Sequence, residues 1–298
     1  MDNVLTLVSK PDLTIGDDLV DKVSHVITAR GGKIECKDWL SKGKAIDFIF
    51  TDASADEVET SVRHQVGSIA IDVLAQPVAN RRKKLLVADM DSTIVEGETL
   101  DDFAALVGIG EKIAAITARA MNGEMNFEDA LHERISMLAG VHVSIMQTTA
   151  DELRLNPGAE TLVRTMSANG AYTALVSGGF RFFTQRVADQ IGFDFNRGNQ
   201  LEIVDAHLTG KVIKPIVTKD VKVETLNQLA QEKSISVADA VTVGDGANDL
   251  PMLQAAGLGV AYHAKPVVVA EAQARVEHGD LTTLLYYQGY SEQEFVRA

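Results

Sequence analysis

The sequence predicts an α/β protein, namely a doubly wound parallel sheet with an inserted helical cap, preceded by a small α+β module of the ferredoxin-like type. From Lys84 onward, short apolar segments alternate with amphipathic helical segments, a pattern typical of a parallel sheet covered by helices. Between the first two of these apolar segments, the chain from Leu100 to about Leu155 has helical periodicity and few strand signals. Residues 1–78 instead follow the order strand-helix-strand-strand-helix-strand.

The composition is that of a globular chain with an acidic balance. Its 298 residues suffice for one large domain or two to three smaller ones. A hydrophobic content of 46% and a charged content of 23% are close to the globular average, which argues against disorder. The net charge of −14 argues against a protein that binds the phosphate backbone of nucleic acids. A small anionic substrate would need local positive charge or a metal ion.

The cysteine content and the N-terminus favour the cytoplasm. A single cysteine, Cys36, excludes an internal disulfide framework and fits a reducing compartment. The segment MDNVLTLVSK lacks the basic and long apolar regions of a signal peptide, and no segment approaches membrane-spanning length. We therefore expect a cytoplasmic protein that acts on a small molecule and binds neither membranes nor nucleic acid. The sequence leaves the oligomeric state open, with a homodimer among the alternatives.

The first region, residues 1–78, is predicted to be a small module without catalytic chemistry. Its strand-like segments are VLTLV, KIECKDWL, AIDFIF and SIAIDVL. Its helix-like segments are DDLVDKVSHVITARGG, which ends in two glycines, and ADEVETSVRHQVG. We expect Cys36 and Trp39 to be packing residues of this module.

A junction separates this module from the second region, residues 79–298. It is marked by Pro77 and by the basic run RRKK at residues 81–84. We interpret this run as a solvated linker rather than a binding site, because charge runs usually form solvated surface. The second region should contain the helical cap at about residues 100–155.

The strands of the second region are the segments LLVAD, AYTALVS, AVTVGD and GLGVAY. In doubly wound sheets, ligands bind outside the carboxyl ends of the strands. Polar motifs stand at three of these ends: DMDST after the first, SGG after the second and GDGAND after the third. Because all three ends should meet at one edge of the sheet, together they predict a functional site.

The carboxylates in these motifs indicate a metal site. Asp89 and Asp91 follow the first strand, and Asp245 and Asp249 follow the third. These groups would repel one another unless a hard divalent cation lay between them, and magnesium favours carboxylate oxygens. Aspartate at a strand end also caps turns and helices, an equally good interpretation of Asp249.

With magnesium in place, the pattern favours phosphoryl transfer. One carboxylate attacks phosphorus to form an acyl-phosphate, and a second acid protonates the leaving oxygen and later deprotonates water. Ser177 and the N–H of Gly178 can donate hydrogen bonds to the phosphate. Lys222 can supply positive charge, and on spacing alone Lys219 and Lys214 are alternatives.

The ordered motifs DMDST, VSGGF, a lysine and GDGAND resemble those of the haloacid dehalogenase superfamily of aspartyl-phosphate phosphatases. From about Lys84 to the C-terminus the chain resembles the bacterial phosphoserine phosphatases in particular, including the cap stretch TARAMNGEMNFEDALHERISML. The resemblance implies a haloacid dehalogenase-like fold. It also implies magnesium-dependent hydrolysis of O-phosphoserine to serine and phosphate, the last step of serine biosynthesis, through an aspartyl-phosphate.

The resemblance further implies roles for the residues at the strand ends. Asp89 is expected to be the nucleophile and a magnesium ligand, and Asp91 the general acid and base, with its backbone carbonyl on the metal. Asp245 is the third expected ligand. The phosphate and substrate contacts implied are those of Ser177, Gly178, Lys222 and Asn248, with Asp249 orienting Lys222.

In the cap, the resemblance implies that Glu98 binds the substrate ammonium and Arg134 its carboxylate, while Met121 and Phe127 enclose it. Arginine suits a carboxylate because it can bond to both oxygens. Each residue also has a structural alternative. Glu98 can stabilise a helix N-terminus, Arg134 can form a surface ion pair with acidic neighbours, and Met121 and Phe127 can be core residues.

Three functional alternatives stay open at this point. They are a phosphotransferase, a phosphatase for another small phosphomonoester, and a non-catalytic amino-acid sensor on a phosphatase fold. The first region resembles ACT-like amino-acid-sensing modules in element order, and its regulation by serine is a hypothesis.

Overall fold

The computed structural model describes residues 2–121 and 124–297, and its first part is a four-stranded antiparallel sheet with two helices. The elements are β1 (Asn3–Ser9), α1 (Asp17–Ala29), β2 (Lys33–Ser41), β3 (Ala45–Thr51), α2 (Ala55–Val66) and β4 (Ile71–Pro77). The strands lie in the order β2-β3-β1-β4. This is the element order that the sequence predicts for a ferredoxin-like module. Its resemblance to ACT-like modules and the boundary at residue 78 stay predictions.

One face of this sheet packs against both helices. Successive side chains of a strand point to opposite faces, so Leu5 of β1 and Phe48 of β3 project toward the helices, where both are fully buried. Val23 of α1 and Val62 of α2 pack in the same core and are equally buried. The module therefore has a core of its own.

Two residue predictions for the module have different outcomes. Trp39 is half-buried and packs against this core, as expected of a packing residue. Cys36 is exposed, so the expectation that it packs is wrong. The reason is that β2 is an edge strand of which most residues face solvent.

The second part is a seven-stranded sheet with helices. Its elements are β5 (Leu85–Ala88), α3 (Thr99–Leu106), α4 (Gly110–Met121), α5 (Phe127–Ser136), α6 (Ser144–Glu152), α7 (Ala159–Ala168), β6 (Tyr172–Phe180), α8 (Arg181–Ile191), β7 (Phe195–Val204), β8 (His207–Ile213), α9 (Lys219–Glu232), β9 (Ala240–Gly244), α10 (Leu250–Ala255), β10 (Leu258–Tyr262), α11 (Pro266–Glu271), β11 (Ala274–Val276) and α12 (Thr283–Tyr287). Of the seven strands, the sequence predicts four, namely β5, β6, β9 and β10. In the described ranges, no helix combines the length and the apolar composition needed to cross a bilayer.

The strand order of this sheet is β11-β10-β9-β5-β6-β7-β8. β5 pairs in parallel with both β6 and β9, and its four residues, Leu85 to Ala88, are completely buried. A continuous apolar run is what a central strand covered on both faces requires. The α/β fold class predicted from the sequence is confirmed.

The β7–β8 hairpin was not predicted. β8 runs antiparallel to β7 and forms the edge of an otherwise parallel sheet. The turn residues Asp205 and Ala206 have positive φ angles of 48° and 61°. Such turns usually carry glycine or asparagine at the second of these positions, so Asp-Ala gives no hairpin signal in the sequence.

The cap consists of four helices, α3 to α6, inserted between β5 and α7. The two chain segments that connect it to the sheet lie side by side. Val95 forms an antiparallel bridge with Leu155, and the N–H of Asn156 donates to the carbonyl of Ile94 (2.9 Å). The Asn156 side chain also donates to the carbonyl of Thr93 (2.8 Å). We call these paired segments, residues 93–95 and 155–156, the neck of the cap.

The second face of the N-terminal sheet packs on the larger part of the chain. Apolar residues of both parts share one core here: Val8, Leu40, Ala45, Leu74, Tyr286 and Tyr287. Asp72 of β4, only 1% exposed, accepts hydrogen bonds from the N–H groups of Glu277 (2.8 Å), His278 (3.2 Å) and Gly279 (2.7 Å). Because a buried carboxylate needs such partners, Asp72 fixes the module against this loop.

Arg81 makes a second polar link across this contact. It forms an ion pair with the buried Asp47, with Nη1–Oδ2 at 2.6 Å and Nη2–Oδ1 at 2.8 Å. Its Nε donates to the carbonyl of Tyr287 (2.8 Å), and its Nη2 donates to the carbonyl of Tyr286 (3.0 Å). One guanidinium therefore joins β3 of the module to α12.

The interpretation of RRKK as a solvated linker is wrong for two of its residues. Arg81 lies in the contact described above, and Lys83 is 8% exposed with its Nζ donating to the carbonyl of Ala238 (2.9 Å). Arg82 and Lys84 are exposed, as predicted. Within the run, Arg81 and Lys83 thus face the protein, whereas Arg82 and Lys84 face solvent.

Replacement of Arg81 by alanine is expected to lower the free energy of unfolding by about 3–5 kcal/mol, because the buried Asp47 loses its partner. The matched control is Arg82→Ala, whose ion pair with Glu294 is exposed and should contribute about 1 kcal/mol or less. Urea denaturation followed by circular dichroism measures both values. Equal losses in the two variants would contradict the role given to Arg81.

Candidate active site

The three motif-bearing strand ends meet at one edge of the sheet. β5 lies between β6 and β9, and all three run parallel, so their carboxyl ends face the same side. Asp89 directly follows β5, Ser177 lies near the end of β6, and Asp245 directly follows β9. The N–H of Asp89 donates to the carbonyl of Val243 (3.0 Å), which ties the first loop to β9.

Lys222 lies at the centre of this edge. It is 1% exposed, and its Nζ contacts Asp89 Oδ1 at 2.5 Å and Asp249 Oδ1 at 2.6 Å. α9 begins at Lys219, so Lys222 stands one turn inside the helix rather than at its start. The alternatives Lys214 and Lys219 are both exposed. Burial thus distinguishes three lysines that spacing alone could not.

Burial and charge shift the protonation equilibria of this group. Burial, together with the neighbouring charge of Asp249, raises the pKa of Asp89 well above its ordinary value, and the Lys222 ammonium opposes the rise. Burial alone lowers the pKa of Lys222, but the carboxylates of Asp249 and Asp89 outweigh it and raise that pKa. Lys222 is therefore held as a cation, as an anion-binding group must be.

Asp91 is held by donors on both of its oxygens. Oδ1 accepts from the N–H of Thr99 (3.0 Å), and Oδ2 accepts from the Ser177 hydroxyl (3.2 Å). Burial raises the pKa of Asp91, whereas the bonds from Thr99 and Ser177 lower it. A carboxyl group with a raised pKa beside a reacting centre suits proton donation.

The glycine after Gly178 leaves room for Asp91. A Cβ on Gly179 would lie 2.8 Å from Asp91 Oδ2 and 3.0 Å from Ser177 Oγ, closer than such atoms approach. The N–H of Gly179 donates to Ser177 Oγ (2.8 Å). The serine hydroxyl can therefore direct its proton to Asp91.

The carboxylates of this edge form a candidate metal centre. Oxygens of Asp89, Asp245 and Asp249 lie within 4.8 Å of one another. Burial, together with the charge of Asp249, raises the pKa of Asp245. Across the described part of the chain, Lys222 is the ion-pair partner of this cluster, so negative charge is in excess. Hard oxygen donors and excess negative charge fit a magnesium-type cation.

The predicted ligand set differs from this cluster at one position. The cluster includes Asp249, which is already bonded to Lys222, and not the Asp91 side chain, which points to Thr99 and Ser177. The prediction gives Asp91 a backbone contact only. The set Asp89, Asp91 and Asp245 stays a prediction.

A cavity of about 430 Å³ opens between the cap and the strand ends. Four of the predicted substrate-binding residues line it: Phe127, Gly178, Lys222 and Asn248. Phe127 begins α5, and a Cβ on Gly178 would lie 3.5 Å from its Cζ, so the ring lies over the loop that carries Gly178. The ring is 42% exposed and is not a core residue.

Glu98 directly precedes α3 and is not among the residues that line this cavity. Its carboxylate accepts from the Ser92 hydroxyl (3.1 Å), and Ser92 has a positive φ of 55° in the tight turn after β5. Although the side chain reaches solvent, the surrounding protein displaces water, and this burial together with Asp91 raises the pKa of Glu98 to about 7. A nearby cation would lower the cost of ionising Glu98.

Arg134 is half-buried in the cap rather than paired at its surface. Its Nε donates to the carbonyl of Ala130 (3.2 Å), and its Nη1 donates to Thr117 Oγ1 (3.4 Å). Burial lowers the pKa of Arg134, whereas the nearby charges of Asp101 and Glu98 raise it. The charge of Glu98 is thus close enough to affect the pKa of Arg134.

Glu133 and Met121 are two further cap positions for which the sequence gives an expectation. The acidic neighbour Glu133, an alternative partner of Arg134, pairs with Arg119 instead (3.2 Å). Met121 ends α4, but its side chain lies outside the described part of the structure, and its enclosing role stays a prediction.

Two residues of this site carry no signal in the sequence motifs. Thr99 holds Asp91 through its backbone N–H, which any residue type supplies. Asn199 of β7, 1% exposed, bonds to Gly178 and Val217 across two loops. It lies in the hairpin that the sequence did not reveal, and a lone asparagine in a strand has no recognisable pattern.

Known proteins match the chain along its length. The haloacid dehalogenase-like hydrolase family matches residues 86–254. A phosphoserine phosphatase of Streptomyces coelicolor is 40% identical over 288 residues, which covers 94% of this chain and 70% of the relative. A probable phosphoserine phosphatase of Vibrio cholerae, solved in unliganded form, superposes with a TM-score of 0.79 at 32% identity, covering 98% and 88% of the two chains. A phospho-aspartyl intermediate analogue of a phosphoserine phosphatase superposes with a TM-score of 0.65 at 35% identity, covering 69% and 99%.

The structural matches agree with the observed fold of both parts of the chain, since one of them covers 98% of it. The family match spans β5 to α10, the stretch that contains all three strand-end motifs. From the sheet, its inserted cap and these relatives together, we conclude that the chain belongs to the haloacid dehalogenase-like hydrolases and is a phosphatase of the phosphoserine phosphatase family.

Proposed function

We propose that the chain hydrolyses O-phosphoserine to serine and phosphate through an aspartyl-phosphate on Asp89, with magnesium as cofactor. The observation that supports this most is the buried Asp89 carboxylate, which is held by Lys222, a residue that lines the cavity. The phosphoserine phosphatase relatives and the phospho-aspartyl analogue support the substrate and the intermediate.

Two groups of residues are proposed to bind the two ends of the substrate. Lys222, the Ser177 hydroxyl and the N–H of Gly178 surround the phosphate and offset the charge on its oxygens. Glu98 binds the ammonium and Arg134 the carboxylate. An amino acid presents one cation and one anion, and these two cap residues carry the complementary charges.

The first chemical step uses the two aspartates of the DMDST loop. An Asp89 oxygen forms a bond to phosphorus while the bond from phosphorus to the serine oxygen breaks, and the departing oxygen takes the proton of Asp91. Burial raises the pKa of Asp91, which favours the protonated form needed here. Serine then leaves as the neutral alcohol.

The second step reverses the role of Asp91. Its carboxylate removes a proton from water, whose oxygen bonds to phosphorus while the bond to Asp89 breaks. Asp89 is released as a carboxylate and Lys222 restores its ion pair. The residues proposed to hold magnesium are Asp89, Asp245 and the backbone carbonyl of Asp91. When bound, the ion neutralises charge on the phosphate oxygens.

The cytoplasm is the proposed location. The single cysteine, Cys36, is an exposed free thiol, which suits a reducing compartment.

Phosphate release from phosphoserine tests the proposal directly. Asp89→Asn removes the nucleophile and should reduce kcat by about 1,000-fold or more. The control Asp189→Asn changes an exposed carboxylate on α8 and should retain activity. EDTA should abolish turnover and added magnesium should restore it. Near-normal release by Asp89→Asn, or in EDTA, would contradict the mechanism.

Arg134→Ala separates substrate recognition from chemistry. Loss of a charged hydrogen-bonding partner should lower kcat/KM for phosphoserine by about 10- to 100-fold. Hydrolysis of an aryl phosphate, which has no carboxylate to bind, should change little. The control Arg119→Ala alters an exposed arginine of the same cap and should affect neither substrate. Equal loss on both substrates would remove the proposed role of Arg134.

The pH dependence of KM should report on Glu98. Because burial raises the pKa of Glu98 to about 7, most of it is protonated at pH 6 and most is ionised at pH 8. Only the ionised form attracts the ammonium, so KM for phosphoserine should rise about 10-fold from pH 8 to pH 6.

Glu98→Gln is the control for this pH series. The variant should have a high KM at both pH values, while titration of the substrate phosphate affects both proteins alike. A wild-type KM that follows the variant's pH dependence would show that Glu98 does not bind the ammonium.

A further inference from the structure

Asn199 of β7 does not line the cavity of about 430 Å³ beside Lys222, although it lines a second cavity on the side of α8. It is 1% exposed. Its Nδ2 donates to the carbonyl of Gly178 (2.7 Å), and its Oδ1 accepts from the N–H of Val217 (2.8 Å). Since a carbonyl only accepts and an N–H only donates, these partners determine the orientation of the amide. A single buried side chain thus bridges two loops from different parts of the sequence.

The first loop leads to the proposed general acid. Fixing the carbonyl of Gly178 also fixes the plane of the peptide that carries the N–H of Gly179. That N–H donates to Ser177 Oγ (2.8 Å), and the Ser177 hydroxyl donates to Asp91 Oδ2 (3.2 Å). Three groups in series, namely the Gly178 carbonyl, the Gly179 N–H and the Ser177 hydroxyl, therefore connect the amide of Asn199 to Asp91.

The second loop leads to the proposed phosphate-binding lysine. Val217 immediately precedes Thr218, the N-cap of α9, whose hydroxyl accepts from the N–H of Val221 (3.4 Å). Lys222 follows in the first turns of this helix and reaches Asp89. The position of Val217 thus sets where α9 begins relative to the strand ends.

Asparagine has the chemistry that this bridge requires. It offers a donor and an acceptor at the end of one short side chain, whereas aspartate offers only acceptors and leucine offers neither. A buried backbone group that loses its partner is costly, so the two loops would move to find others. Gly178 and Val217 both line the cavity, so such a movement changes its shape.

We propose that Asn199 is a positioning residue that sets the distance between the Ser177–Gly178 loop and the helix carrying Lys222, and so the geometry of the phosphate site. This inference rests on the proposed function for its assignment of these groups to phosphate binding. Asn199 acts through them and makes no contact with substrate.

The experiment compares Asn199→Leu and Asn199→Asp with Asn196→Leu in the full-length chain. Asn196 lies on the same strand and also uses both ends of its amide, with Thr184 (3.0 Å) and Gln185 (3.0 Å), but these partners lie on α8, away from the phosphate site. Asn199→Asp keeps an oxygen that can accept from the N–H of Val217. At the other end it places a carboxylate oxygen against the carbonyl oxygen of Gly178, where the wild type has an N–H donor. Thermal unfolding identifies variants that do not fold.

Inhibition by the two products distinguishes positioning from packing. In both Asn199 variants the inhibition constant of inorganic phosphate should rise about 10-fold, and kcat should fall about 10- to 100-fold. The inhibition constant of serine should stay within about twofold, because serine binds through the cap. Asn196→Leu should leave all three values unchanged. If Asn199→Leu does not fold, Asn199→Asp decides.

Two outcomes would overturn the proposal. One is a folded Asn199 variant whose phosphate and serine constants both stay at wild-type values. The other is an equal weakening of both, which is the result of a general loss of structure. Calorimetric titration of inorganic phosphate into the resting proteins needs no turnover. In a further outcome, the wild type fails to hydrolyse phosphoserine and yet binds phosphate more tightly than the Asn199 variants do. This result would refute the proposed substrate but would support the positioning role of Asn199.

Discussion

The buried ammonium of Lys222 is the interaction on which the site depends. Removing such a charge from water is costly, and only close partners of opposite charge offset the cost. Asp89 comes from the end of β5, Asp249 from the loop after β9 and Lys222 from α9. One ion-pair network therefore joins three elements and places a positive charge beside the proposed nucleophile. Folding and the proposed phosphate binding share the same contacts.

The charge balance around this network explains how an acidic protein can bind an anion. The chain as a whole carries −14, and the edge of the sheet has more carboxylates than ammonium groups. Long-range attraction of phosphate is therefore absent, and binding must come from donors at contact distance. Backbone N–H groups, the Ser177 hydroxyl and Lys222 are such donors. The remaining carboxylates suit a hard cation.

The sequence predicted those parts of the molecule that depend on local pattern. Apolar runs ending in polar motifs identified β5, β6 and β9, because buried parallel strands need continuous hydrophobicity. Choosing Lys222 over Lys214 and Lys219 needed the family resemblance, since burial is a tertiary property. For the same reason, the sequence did not predict the roles of Asn199 and of the solvent-shielded Arg81. Their roles exist only once distant strands and loops are packed together, and neither residue type nor spacing encodes that packing.

The neck of the cap, residues 93–95 and 155–156, separates two parts of the chain. The cap is proposed to recognise the substrate, and the edge of the sheet is proposed to carry out the reaction. The chain enters and leaves the cap at adjacent points, so the inserted helices do not interrupt the pairing of the strands that hold the proposed reacting groups. Apart from the start of α3, where the N–H of Thr99 bonds to Asp91, substitutions in those helices can alter which alcohol is accommodated while the proposed bond cleavage at the sheet edge proceeds unchanged. In such an architecture, selectivity can diversify without rebuilding the machinery that breaks the ester.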